Sequence, residues 1–153
     1  MNREPTYREV QRFRQRWLWA LLGGIALFML LLGPVSWVGL VIVSAVAAFL
    51  YSLRLETEVR GDGIYIKMWP LHRSFRRISW SEVKRYEPRH YNPLREFGGW
   101  GIRWVPGKIA YNVRGNRGIW IERTDDRSVL IGSQRVEEFV TAIDGSTSGS
   151  SGR

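Results

Sequence analysis

The sequence predicts an α+β membrane protein: an N-terminal two-helix transmembrane hairpin, then a small β domain closed by a C-terminal helix. Three observations carry this. The stretch from Trp17 to Leu53 holds no Asp, Glu, Lys, Arg or His, and at roughly 37 residues it is about twice the ~20 that one crossing needs. It is interrupted by Gly33-Pro34-Val35-Ser36-Trp37, and Gly beside Pro is strong punctuation for a helix. Beyond Arg54 apolar residues alternate with polar ones, as in strands, until a final segment returns to helical spacing.

Composition bounds the rest. The chain has 153 residues, a formal net charge of +9 and no cysteine. About 90 residues remain outside the hairpin and its flanks, enough for one small core. The basic balance suits phosphates of lipid headgroups or nucleic acid. Without cysteine there is no disulfide, thiolate metal site or cysteine nucleophile.

Residues 1–16 read as a basic cytoplasmic arm, with Arg3, Arg8, Arg12, Arg14 and Arg16 against Glu4 and Glu9. Val10, Phe13 and Trp17 recur at helical spacing, so the first helix is expected to begin early. Such a flank satisfies the positive-inside rule, with a lipid-binding arm as the alternative. Ala45-Val46-Ala47 matches a cleavage pattern, but the apolar run before it is too long for a signal peptide.

Residues 17–53 form the hairpin, with helices over about 17–32 and 37–53. Arg14, Arg16, Trp17 and Trp19 mark the cytoplasmic interface, Trp37 the outer one, and Tyr51 and Arg54 the return. Both termini are thereby placed in the cytoplasm of a multi-pass protein of the cell membrane. Ala20 and Gly24, and Ser44 and Ala48, have small-xxx-small spacing and are expected to pack helix on helix. No ionisable group lies in the hairpin, so ion conduction and transport lose their usual signature.

Residues 54–144 carry the β domain. Glu56–Arg60 and Ile64–Trp69 flank the turn Gly61-Asp62-Gly63. Phe75–Trp80 is a third strand, Trp80–Val83 a short helical step, and Val83–Tyr91 a charged fourth strand. Asn92–Gly99 reads as a loop, and a strand follows through Val105. Its Gly98-Gly99-Trp100-Gly101 lacks the helix a phosphate loop requires. Ile109–Val113 and Ile119–Arg123 are strands around the turn Arg114–Gly118, and Asp125-Asp126 turns into Ser128–Ile131. Ser133 caps a last helix in which Val136, Phe139, Val140 and Ile143 form the buried stripe. Gly145 closes it, and residues 145–153 form a flexible Gly/Ser tail.

The sequence offers little for catalysis. His72 and His90 stand beside arginines and away from metal-ligand spacing, no nucleophile elbow occurs, and Ser79 and Ser81 have no base nearby in sequence. No enzyme, cofactor or metal is expected. The basic concentration is Arg73, Arg76, Arg77, Lys84, Arg85 and Arg89, interleaved with Phe75, Trp80, Tyr86 and Tyr91. It is the candidate contact for anionic lipid or a protein partner.

Four segments carry a resemblance: RRISWSEVKRYE (Arg76 to Glu87), GGWGIR and AYNVRGNRGI (Gly98 to Arg103, Ala110 to Ile119), and IGSQRVEEFVTAI (Ile131 to Ile143). They resemble small bacterial and archaeal membrane-anchored proteins with a pleckstrin-homology (PH)-like domain, over about Leu53 to Ile143. The resemblance implies a small β-barrel with a C-terminal capping helix, the two basic segments lying on neighbouring strands. The expected function is an interaction module that docks protein partners or anionic lipid headgroups at the cytoplasmic membrane face. Membrane lipids and a protein partner or second copy are the expected partners. A tethered nucleic-acid-binding domain is the alternative reading, and an enzyme without a recognisable motif the weaker one.

Overall fold

The computed structural model describes residues 4–32 and 37–150. Strand β1 (Tyr7–Arg12) precedes helices α1 (Arg16–Leu32) and α2 (Trp37–Ser52). Strands β2 (Arg54–Arg60), β3 (Gly63–Trp69) and β4 (Arg76–Ser79) follow, and a 3-10 turn at Trp80–Glu82 leads into β5 (Val83–His90). The remainder is α3 (Pro93–Phe97), β6 (Gly101–Val105), β7 (Lys108–Asn112), β8 (Arg117–Arg123), β9 (Ser128–Gly132) and α4 (Val136–Ser150).

The strands form two sheets. One is the antiparallel order β1-β2-β3-β4, and the other is β5-β8-β9-β7-β6, with β7 and β9 parallel. Their facing side chains follow the period of two. Leu55, Val59, Ile64, Ile66, Met68 and Ile78 from the first sheet share a core with Val113, Ile119, Ile121, Val129 and Ile131. Helix α4 closes it with Val136, Phe139, Ala142 and Ile143, and Phe139 stacks on Tyr7 with ring centroids 5.0 Å apart. Tyr91, Phe97, Ala110, Trp120 and Leu130 form a separate cluster.

The turn at Gly61-Asp62 joins β2 to β3, with Arg60 opposite Gly63. Gly63 has φ +152°, and a Cβ there would strike the Ile78 carbonyl, so only glycine fits. Asp62 accepts from Tyr65 Oη at 2.7 Å and Arg77 Nη1 at 3.1 Å. These bonds, Tyr65's first, hold its carboxyl below the ordinary carboxylate range.

The expected transmembrane hairpin is overturned. The apolar run divides into helices of 17 and 16 residues, about 26 and 24 Å long at ~1.5 Å per residue, short of a ~30 Å hydrocarbon core. Among the described residues no helix is long and apolar enough to cross a membrane. With the spans go the multi-pass placement in the cell membrane, its sidedness, and the reading of Arg14, Arg16, Trp17, Trp19, Trp37, Tyr51 and Arg54 as interface anchors. The break itself, residues 33–36, lies outside the described residues.

Helices α1 and α2 pack on each other and meet the β domain at their base. Phe13 N donates to Leu53 O, Gln15 Nε2 to Val113 O, and Trp17 lies against Trp100. Trp19 meets Tyr51 edge to face at 6.3 Å. Half-buried positions include Leu22, Ala26 and Met29 on α1 and Leu40, Val43 and Ala47 on α2. Their i, i+3, i+4 and i+7 spacing marks the seam. The small residues proposed for it, Ala20, Gly24, Ser44 and Ala48, are all exposed, and a Cβ on Gly24 would meet nothing within 4 Å.

Three further expectations change. The arm is not a helical extension: Tyr7, Glu9 and Gln11 are buried on one side of β1 while Arg8, Val10 and Arg12 are exposed on the other. The Asn92–Gly99 loop holds the short helix α3, because Asn92 accepts from the backbone N–H groups of Leu94 and Arg95 and Gly98 ends it in the left-handed region. Helix α4 does not stop at Gly145 but continues to Ser150. Thr147 and Ser148 donate back to the Ile143 and Asp144 carbonyls.

Candidate functional site

The six basic residues singled out from the sequence are not brought into one site. Strand β4 belongs to the first sheet and β5 to the second, so their arginines are not cross-strand neighbours. Three are engaged by carboxylates: Arg77 with Asp62 at 3.1 Å, Arg85 with Glu87 at 2.9 Å and Arg89 with Glu96 at 2.9 Å. Arg89 also lies over the Trp120 ring at 4.8 Å. Arg73, Arg76 and Lys84 are exposed without an ion pair among the described residues.

A different basic site forms along the free edge of β1. A cleft of about 660 Å³ is lined by Arg8, Arg12, Arg14, Arg54, Arg114 and Arg135, with Glu9, Gln11 and Glu56 among its other walls. Four parts of the chain supply these groups. Strand β1 and the link to α1 give Arg8, Arg12 and Arg14; the start of β2 gives Arg54 and Glu56. The β7–β8 turn gives Arg114, and the link into α4 gives Gln134 and Arg135.

Carboxylates offset part of its charge, Glu9 and Glu56 from the lining itself and Glu58 and Glu138 through ion pairs with Arg8 and Arg135. Glu9 is 5% exposed and already accepts three hydrogen bonds: from Tyr7 Oη at 2.6 Å, Ser133 Oγ at 2.7 Å and the Gln134 N–H at 2.9 Å. Ser133 Oγ in turn accepts from the Arg135 N–H. Glu9 therefore fastens the edge strand to the entry of α4. Burial, followed by the bond to Glu9, pushes the Tyr7 hydroxyl's pKa well up, so it remains a donor. Glu56 is shared between Arg54 at 3.1 Å and Arg8 at 4.0 Å, and Arg8 lies 3.4 Å from Glu58. Arg135 pairs with Glu138 at 3.0 Å and donates to the Arg8 carbonyl.

Arg12, Arg14 and Arg114 remain exposed with no carboxylate partner among the described residues. Arg12 and Arg54 are direct cross-strand partners, an arrangement in which like charges repel. Glu56 relieves Arg54, and nothing described relieves Arg12. Gln11 is 5% exposed and donates through Nε2 to the Gly132 carbonyl at 2.7 Å. Its Oε1 has no partner among the described residues. The cleft thus offers a fan of guanidinium donors, chemistry suited to an oxyanion.

Sequence reasoning passed over this site. The signal for β1 was the alternation in Tyr-Arg-Glu-Val-Gln-Arg, with Arg8 and Arg12 on one side. The helical spacing of Val10, Phe13 and Trp17 masked it. Arg114 and Arg135 reach the cleft only through tertiary structure.

The two histidines lie elsewhere. His72 follows β3 and meets the Tyr111 ring edge-on at 6.0 Å, and burial, with Arg76 adding to it, lowers its pKa. His90 ends β5 opposite Arg117. Compared with known protein families, curated proteins and solved structures, the chain matches none, and nothing in those comparisons identifies the β domain as PH-like.

Proposed function

We propose that this chain is a non-catalytic docking module that holds an anionic, phosphate-bearing group in the arginine-lined cleft along β1. One observation carries the reading: six arginines line the cleft, and Arg12, Arg14 and Arg114 among them have no carboxylate partner among the described residues. Arginine forks match phosphate oxygens in pairs. A volume of about 660 Å³ falls in the range of small-ligand pockets and favours one headgroup-sized anion over a groove that tracks a polynucleotide.

The test is calorimetric titration of the full chain with inorganic tripolyphosphate at low salt. Binding should weaken as salt shortens the Debye length. At about 1 kcal/mol for each basic side chain near an anion, replacing Arg12, Arg14 and Arg114 together with Gln should weaken binding about 100-fold. The matched control replaces Arg73, Arg76 and Lys84 and should change it little. Absence of binding, or an equal loss in the control, overturns the reading.

A further inference from the structure

The cleft opens beside the only part of the described chain that is apolar on every side. Arg14 lies two residues before α1 begins, and Arg54 two residues after α2 ends. Above them Trp17, Leu21, Ile25, Phe28 and Leu31 of α1 are exposed, as are Trp37, Val38, Val41, Ile42 and Phe49 of α2. Helix α2 has no buried residue at all.

A helix that is hydrophobic all round needs apolar surroundings all round. A docked protein or a second copy covers one face of such a pair and leaves the other in water. Hydrocarbon chains demand no polar pairing and suit a surface that is apolar on every side. Whatever occupies the cleft is anionic on the proposed reading, and the cleft adjoins this hairpin through Arg14 and Arg54.

Resting on that reading, we infer that the ligand is an anionic phospholipid, its phosphate held among Arg12, Arg14, Arg54 and Arg114 and its acyl chains lying along α1 and α2. The geometry requires no helix to cross a bilayer. It requires only that headgroup and hydrocarbon meet where the cleft meets the helix bases. Arg12 and Arg54, opposed across β1 and β2, then share one phosphate between them.

The experiment uses the full chain in non-ionic detergent with two photoreactive lipids, phosphatidic acid and phosphatidylcholine, each bearing a diazirine in one acyl chain. Crosslinked residues are mapped by mass spectrometry. Labelling should fall on α1 and α2 and favour phosphatidic acid about tenfold, the ratio expected from roughly 1 kcal/mol for each of one or two arginine–anion contacts. Arg12→Gln with Arg54→Gln should abolish that preference while leaving the labelled positions in place. Glycerol 3-phosphate, which has the head without the chains, should compete weakly.

Equal labelling by both lipids, labels confined to the β domain, or unlabelled hairpins crosslinked into dimers would each overturn the inference. Tripolyphosphate titration of the same preparation separates the two claims. Retained arginine-dependent phosphate binding with any of those outcomes removes the lipid and keeps the docking reading. Loss of phosphate binding removes both.

Discussion

Glu9→Ala tests the strut beneath the cleft. Glu9 joins the edge strand β1 to the entry of α4 through three donors, at 2.6, 2.7 and 2.9 Å, and no other carboxylate among the described residues reaches them. A hydrogen bond to a charged group contributes ~1.5–3 kcal/mol, and a buried donor left unpaired costs ~1–3 kcal/mol. The three contributions do not add. Tyr7 Oη and Ser133 Oγ already lie 3.3 Å apart and can partly satisfy each other, so the net loss should be about 3–5 kcal/mol. Glu9→Gln keeps one acceptor oxygen but turns an NH2 toward a donor, and should cost about half as much.

Urea denaturation of the full chain in non-ionic detergent reads both values, since urea leaves ionic strength unchanged and a shift in midpoint at constant slope reports stability. Tyr7→Phe combined with Glu9→Gln should show a coupling of about 1 kcal/mol. A loss below about 1 kcal/mol for Glu9→Ala would refute the reasoning, because a buried carboxylate with three real donors cannot be removed so cheaply.

Gly63→Ala should cost at least about 2 kcal/mol by the same denaturation, since it combines positive φ with a clash against the Ile78 carbonyl; a change under 0.5 kcal/mol would show that the β2–β3 turn is built differently. Tyr91 is 4% exposed, its hydroxyl has no hydrogen-bond partner of good geometry among the described residues, and burial pushes its pKa up to about 12. Tyr91→Phe should therefore be neutral or mildly stabilising, and a loss above about 1 kcal/mol would reveal a hydrogen bond to the hydroxyl. His72 titrates below its ordinary value of 6.5 when folded, so the unfolded chain binds the proton first. Stability should fall as pH drops below about 6.5 toward the folded value, and His72→Gln should flatten that part of the pH profile; an identical profile in the variant would exclude His72 as its source.

Much of the element list was legible because local pattern decides it. The apolar run and its Gly-Pro break place two helices, observed at Arg16–Leu32 and Trp37–Ser52. The Gly61-Asp62-Gly63 turn and the alternation on either side give β2 and β3, and the stripe through Phe139 and Ile143 gives α4. What failed was length arithmetic and long-range assembly. Helices over 17–32 and 37–53 are each somewhat short for a crossing, and relying on local bilayer thinning to make up the difference is what fails: each ends after about 25 Å. Nothing local says that β9 inserts between β8 and β7, or that β4 and β5 fall in different sheets. The arginines of the cleft are spread from Arg8 to Arg135, and no window of sequence contains them together. The continuation of α4 past Gly145 defeats a rule of propensity: one glycine costs only ~1 kcal/mol in a helix, which Thr147 and Ser148 bonding back to earlier carbonyls can offset.

The position of the helices follows a logic that bears on function. They are inserted between β1 and β2, two strands paired residue for residue from Tyr7 with Val59 to Arg12 with Arg54. An insertion at that point cannot swing freely, because both its ends are fixed by one ladder and by Phe13 and Gln15 bonding to Leu53 and Val113. The cost of the arrangement is concentrated at its base. Two arginines face each other across the last rung, a buried amide oxygen beside them has no partner, and two helices expose apolar surface on all sides. Each feature is unfavourable for the chain alone, by repulsion, by an unmade hydrogen bond and by hydrated apolar area. Small chains do not hold three such liabilities within a few residues of one another for the sake of stability. A ligand with a negative head and an apolar body relieves the first and the last together, and no purely polar anion or purely apolar partner does.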